Sequence, residues 1–112
     1  LRLKKVKQLL KTFADDSRLR IINLLNYQEL TVTEICEILN MNQPNISKHL
    51  AKLRLTSIVG DRREGTNVYY YLTKPENKTY KVLLETITIG LADLETFKKD
   101  IQKINKTIPS SK

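Results

Sequence analysis

Residues 33–55 read TEICEILNMNQPNISKHLAKLRL, and the spacing of the apolar residues in them decides the fold. Ile35, Ile38 and Leu39 lie on one face of a helix, at three- and four-residue intervals. Thr31 and Glu34 have the spacing of a capping box at its start, with Thr33 as an alternative cap. Asn40-Met41-Asn42 makes a tight connection. Asn42 is a good N-cap, and Pro44 is tolerated in the first turn of a second helix from about Gln43 to Leu55. Ile46, Leu50 and Leu53 give that helix its buried face. Two short helices joined by about three residues make a helix-turn-helix.

Immediately beyond it, Ile58-Val59 and Val68-Tyr69-Tyr70-Tyr71-Leu72 flank the charged, glycine-containing turn Asp61–Asn67, which predicts a β-hairpin. Side chains alternate along a strand, so Val68, Tyr70 and Leu72 take the core face and Tyr69 and Tyr71 the outer one. A hairpin directly after a helix-turn-helix is a wing, here residues 58–72. On the other side, Leu3, Val6, Leu10 and Phe13 stripe a first helix whose remaining faces are rich in lysine, and a second helix starts near Asp15-Asp16-Ser17. Thr31-Val32-Thr33 reads as a stub of strand or an extended lead into the next helix.

Thr73, Pro75 and Glu76 open a last helix expected to run to about residue 105, through Tyr80, Leu83, Leu84, Ile87, Leu91, Leu94, Ile101 and Ile104. Gly90 interrupts it, at a bend or a close approach. A helix of that length spans roughly 45 Å, more than so small a body can cover. Its excess apolar face calls for a twofold dimer through residues 1–13 and 76–106, with Leu3, Val6, Leu10, Leu83, Ile87 and Leu94 at the interface. The expected class is therefore mainly α (α+β): one winged helix-turn-helix domain over residues 1–106, with about five helices and a two-stranded wing, and a flexible tail over 107–112.

Composition narrows the function. Of 112 residues, 40% are hydrophobic, enough for a single core and too many for general disorder. No uncharged stretch is long enough to cross a bilayer, and no secretion leader is recognisable, so a cytoplasmic location is expected. The single Cys36 cannot form an intrachain disulfide. The net charge of +8 is uneven: residues 1–12 carry five bases and no acid, and residues 43–67 five bases against two acids, whereas residues 13–42 are acidic. That pattern favours a polyanion, nucleic acid before an anionic membrane surface. A phosphate-cradling glycine motif, a His-Glu-x-x-His and a paired nucleophile and base are all missing, which argues against an enzyme.

Asp16-Ser17-Arg18-Leu19-Arg20-Ile21-Ile22, Gln43-Pro44-Asn45-Ile46-Ser47-Lys48-His49-Leu50, Asp61-Arg62-Arg63-Glu64-Gly65 and Val68-Tyr69-Tyr70 together resemble the ArsR/SmtB family of repressors, in order and with the right gaps. The resemblance implies a dimeric winged-helix repressor that leaves its operator when an inducer, often a metal ion, binds. The helix from Gln43 would then enter the major groove of double-stranded DNA. Gln43 and Asn45 suit adenine, Ser47 several bases, and Lys48 and Lys52 guanine or phosphate. His49 would bond a phosphate or brace the groove edge, and Arg62, Arg63 and Thr66 on the wing would meet phosphates or the minor groove. The operator should be an imperfect palindrome with half-sites about one helical turn apart.

The chain departs from the family pattern in three places. Ser57 stands where a glycine usually ends the recognition helix. Thr31 and Thr33 occupy the positions of a Cys-x-Cys metal pair, and hydroxyls are poor ligands for soft ions. Residues 76–106 hold no His and no Cys, so the second familiar metal site is lost as well. No metal and no cofactor are expected, and the inducer is expected to be a non-metal of unknown identity. Cys36 reads as a small buried hydrophobe, with a redox thiol as the alternative. Asp93, Glu95 and Asp100 read as a solvated helix face. Two other functions stay open: a constitutive or architectural DNA binder without an inducer, and a winged-helix protein-interaction module.

Overall fold

The computed structural model describes residues 1–108. Six helices and three strands follow in the order α1 (Leu3–Phe13), α2 (Asp16–Tyr27), β1 (Leu30–Thr31), α3 (Val32–Leu39), α4 (Gln43–Leu55), β2 (Val59–Glu64), β3 (Asn67–Leu72), α5 (Lys78–Thr88) and α6 (Glu95–Thr107). Side-chain caps fix most of the helix starts. Asp15 accepts from the Arg18 N–H, Asn42 from that of Asn45 and Asn77 from that of Tyr80. Thr31 and Glu34 form a reciprocal capping box, so α3 begins at Val32.

The core lies where α2, α3 and α4 meet the sheet. Ile21, Ile22, Leu24, Ile35, Ile46 and Leu53 are all fully buried there. β2 and β3 pair antiparallel around a turn in which Gly65 takes a φ of 63°, a conformation that only glycine adopts without strain. The wing gains a third strand: β1 pairs with β3, Leu30 opposite Tyr70 and Thr31 opposite Tyr69, giving the order β1-β3-β2. The Thr31 stub thus belongs to the sheet and to the cap of α3 at once. Tyr70 and Leu72 pack against the core, as their alternation predicts.

The single last helix is corrected by the structure. α5 ends at Thr88, a turn covers residues 89–93, and α6 starts afresh at Glu95. At Gly90 a Cβ would clash with the Thr86 carbonyl oxygen, a contact no other residue could make without moving the backbone. The chain folds back there, and α6 packs on α2 and α3. Phe97, Asp100 and Ile104 are buried in that contact. Asp100 is therefore no solvated acid: it is 2% exposed and accepts a bidentate pair of bonds from Arg20, at 2.8 and 2.9 Å. Asn23 donates to the Phe97 carbonyl, and Lys103 reaches the Ile38 carbonyl at the end of α3. The longest dimension of the folded chain is 41 Å, shorter than the uninterrupted rod would have been.

The refolded end redistributes the apolar surface. Ile87, expected at a dimer interface, is 5% exposed in the core of its own protomer, because α5 turns its Tyr80-Leu84-Ile87 stripe inward. Leu83 and Val6 are half-buried. Leu3, Leu10 and Leu94 are exposed, together with Val82 and Ile89, which lie on the opposite side of α5 from the buried stripe. Thr107 closes α6, and residues 109–112 of the expected tail lie outside the described residues.

Candidate nucleic-acid interface

α4 buries Ile46, Leu50 and Leu53 against the body, which turns Gln43, Asn45, Ser47, Lys48 and Lys52 outward into solvent. Lys48 and Lys52 lie one turn apart on this outer face, and Asp15 and Asp61 beside the helix are each held by partners within the fold. At the far end of the helix, Arg54 pairs with Asp61 of β2 and ties α4 to the wing. The end itself is a complete Schellman turn. The Ser57 N–H donates to the Arg54 carbonyl at 3.0 Å and the Ile58 N–H to that of Leu53 at 2.9 Å, with Ser57 at φ 61°. Ser57 adopts the geometry for which glycine is the ordinary choice.

His49 is half-buried beside α2. Its Nδ1 lies 3.2 Å from Arg18 Nη1 and 3.7 Å from Asp15 Oδ2. Arg18 also donates from Nε to the Thr12 carbonyl at 2.7 Å, so one guanidinium joins the end of α1 to α4. A guanidinium can only donate, which makes Nδ1 the acceptor and leaves the proton on Nε2. Burial pushes the His49 pKa down, Asp15 opposes that, and Arg18, Lys52 and Lys48 add to it. The imidazole is therefore neutral at neutral pH, and its approach to Asp15 is no salt bridge there. Burial alone would raise the Asp15 pKa, but the Arg18 N–H bond and the Arg18 charge hold it below its usual value. Asp15, Arg18, Asn45, Lys48, His49 and Lys52 line an open cleft of about 300 Å³ between α2 and α4.

On the wing the two adjacent arginines part company. Arg62 donates to Glu29 at 2.7 Å and to Glu64, and lies over the Tyr69 ring at 4.9 Å. Arg63, on the other face of β2, is exposed and forms no ion pair among the described residues. Thr66 is exposed in the turn. Cys36 is half-buried against the core, and burial pushes its thiol pKa up, the reverse of what a reactive thiolate needs.

Sequence reasoning did not assign Arg18 and Asp15 to this site. Their only signal was the run Asp15–Arg20, which also reads as an ordinary helix start. The residues at the family's Cys-x-Cys positions do not fit a thiophilic ion: Thr31 caps α3, and no group of three or more His, Cys, Asp or Glu among the described residues could hold a metal ion. No helix of the described residues is long and apolar enough to cross a membrane.

The family described as "Bacterial regulatory protein, arsR family" matches residues 15–59. The chain is 45% identical over 67 residues to the arsenical resistance operon repressor of Escherichia coli (strain K12), covering 59% of this chain and 57% of that protein. It thus spans about half the length of the first relatives it matches. It is 37% identical over 81 residues to the transcriptional repressor PagR of Bacillus anthracis, covering 71% of this chain and 81% of that one. The structure is similar to the homodimeric winged helix-turn-helix DNA-binding domain Mb0332 of Mycobacterium bovis, with a TM-score of 0.66 and 29% identity over 84% of this chain and 85% of that chain.

Proposed function

The chain belongs to the ArsR family of bacterial regulatory proteins, and from that premise we propose that it is a sequence-specific DNA-binding transcriptional repressor that works as a homodimer in the cytoplasm. The observation that carries the proposal is the outward row Gln43, Asn45, Ser47, Lys48 and Lys52 on α4, with Arg63 on the wing beside it. The amides and the serine supply donors and acceptors that can pair with base edges, while the cations neutralise phosphates. His49 donates its Nε2 proton to a phosphate, with Arg18 holding the ring.

Dimerisation rests on the apolar surface left uncovered on α1 and α5. Leu3 and Leu10 lie seven residues apart on α1, Val82 lies on α5 seven residues before its C-cap Ile89, and all four are at least half exposed. Two copies related by a twofold axis bury both pairs and set the two recognition helices one helical turn of DNA apart. The inducer is a non-metal, a reading supported by the engagement of Thr31 in the α3 cap and the hydroxyl in place of a thiol at Thr33.

Selection of duplexes from a random library, followed by titration in rising salt, tests this function. A compact imperfect palindrome with half-sites about one turn apart, bound with a steep salt slope, is the expected result. Recovery of unselective or merely AT-rich duplexes would replace the repressor with an architectural binder. No recovery at all would favour a protein-interaction module. Stoichiometric zinc, cadmium or arsenite binding that released DNA would overturn the non-metal reading.

A further inference from the structure

A second cleft, remote from the outward face of α4, lies between α1, the turn that ends α4 and the start of α5. It measures about 300 Å³, at the small end of the range for small-molecule sites, and Lys5, Leu9, Ser57, Lys74, Asn77 and Tyr80 are on its lining. Tyr80 is 7% exposed, and its hydroxyl is the one buried side-chain polar atom among the described residues without a hydrogen-bond partner. The neighbouring threonine hydroxyls give their protons to backbone carbonyls and offer none to the phenol. Thr73 donates to the carbonyls of Ser57 and Ile58, and Thr56 to those of Lys52 and Leu53. A buried phenol left without a partner is destabilising, and phenylalanine would fill the same space without that cost.

We propose that this cleft binds a small organic carboxylate as the effector of DNA binding. The unmatched Tyr80 donor and the Lys5 and Lys74 ammonium groups, neither of them in an ion pair among the described residues, call for an oxyanion. Leu9 and the Tyr80 ring call for an apolar body behind it. Glu76 is the one acid on the lining, which leaves a net positive charge suited to a monoanion and opposes a doubly charged phosphate.

The location gives the ligand leverage on DNA. Thr56 and Ser57 form the C-terminal end of the recognition helix, and Ser57 holds a left-handed conformation that a change of contacts can release. The other two walls belong to α1 and α5, the helices on which dimerisation is proposed. A bound carboxylate therefore touches the recognition helix and both dimer helices at once. The effector role rests on the DNA-binding reading above; the binding of the carboxylate does not.

The test is an NMR titration of the full chain with benzoate and with hexanoate, using benzamide as the uncharged control. Saturable shifts centred on Ser57, Thr73 and Asn77 are expected, with benzamide at least fivefold weaker. Tyr80→Phe should raise the Tm of the free chain while weakening benzoate binding at least fivefold, and Lys74→Gln should weaken it at least threefold. Failure of both carboxylates to shift those residues, or parent-like binding by both variants, would overturn the site. Saturating carboxylate should then weaken binding to the selected duplex at least threefold, and an unchanged duplex affinity would overturn the effector role. A chain that takes up benzoate but binds no duplex would defeat the DNA-binding reading and, with it, the effector role, while the carboxylate site stands.

Discussion

Arg18 and His49, separated by 31 residues in the chain, meet at 3.2 Å, and that contact fixes which imidazole nitrogen faces the outside of α4. Because the same guanidinium grips the Thr12 carbonyl, the orientation of His49 is set from α1 as well as from α4.

A pH dependence follows from the lowered His49 pKa. The folded chain holds the imidazole neutral, so as pH falls the unfolded chain takes up the proton first, at about 6.5. The stability associated with His49 is fully present above that pH and is lost as pH falls toward the folded pKa. His49→Gln should remove this loss. Urea denaturation between about pH 8 and about pH 5 checks it, and equal pH slopes for parent and variant would refute the assignment.

The two wing arginines should separate in a DNA-binding assay. Arg63→Ala removes a free cation and should lower the salt slope by about 1. Arg62→Ala removes a side chain already matched to Glu29 and Glu64, and should change the slope by less than half as much. Fluorescence anisotropy over a range of salt reads both, and the reverse order would show that Arg62 exchanges its acids for phosphate.

Asp100→Ala should destabilise the chain by about 2–3 kcal/mol, below the range for fully buried pairs because the Arg20 side chain is 30% exposed and can turn to water. Hydrogen exchange should then rise first across α6. A uniform rise over all helices would mean that α6 does not open on its own.

Ser57→Gly should stabilise the free chain by about 0.5–1 kcal/mol, since glycine meets the left-handed φ of 61° without a Cβ. The gain is less than the full left-handed penalty because glycine has more freedom to lose on folding. Thermal unfolding measures it, and a lowered Tm would show that the serine side chain contributes more than its backbone strain costs.

The parts of this fold that could be read in the sequence are those fixed by near neighbours. The Asn42 cap, the Ile46-Leu50-Leu53 stripe and the glycine turn of the wing each depend on residues within one or two turns, and each appears where the spacing puts it. The outward row on α4 follows from the same stripe. Arg20 with Asp100 is the opposite case. The partners stand 80 residues apart, and an isolated aspartate among lysines looks like an acid in solvent until its arginine is known. The return of α6 is hidden for that reason, and a terminal helix read as straight puts Ile87 on the outside. Arg18 was visible as a residue but not as a link, since its partners come from two other elements.

The turn at Gly90 changes what one copy of this chain is on its own. A straight terminal rod would have left its apolar length bare, and such a protomer has no stable existence apart from its twin. By doubling back, the chain covers most of that length itself and leaves only a modest apolar patch, the one proposed above to meet a second copy. Folding and pairing then become separate equilibria, and the second responds to dilution. On the proposed dimeric DNA-binding function, the abundance of the protein then joins any effector as a control on operator occupancy, with scarcity alone enough to empty the site.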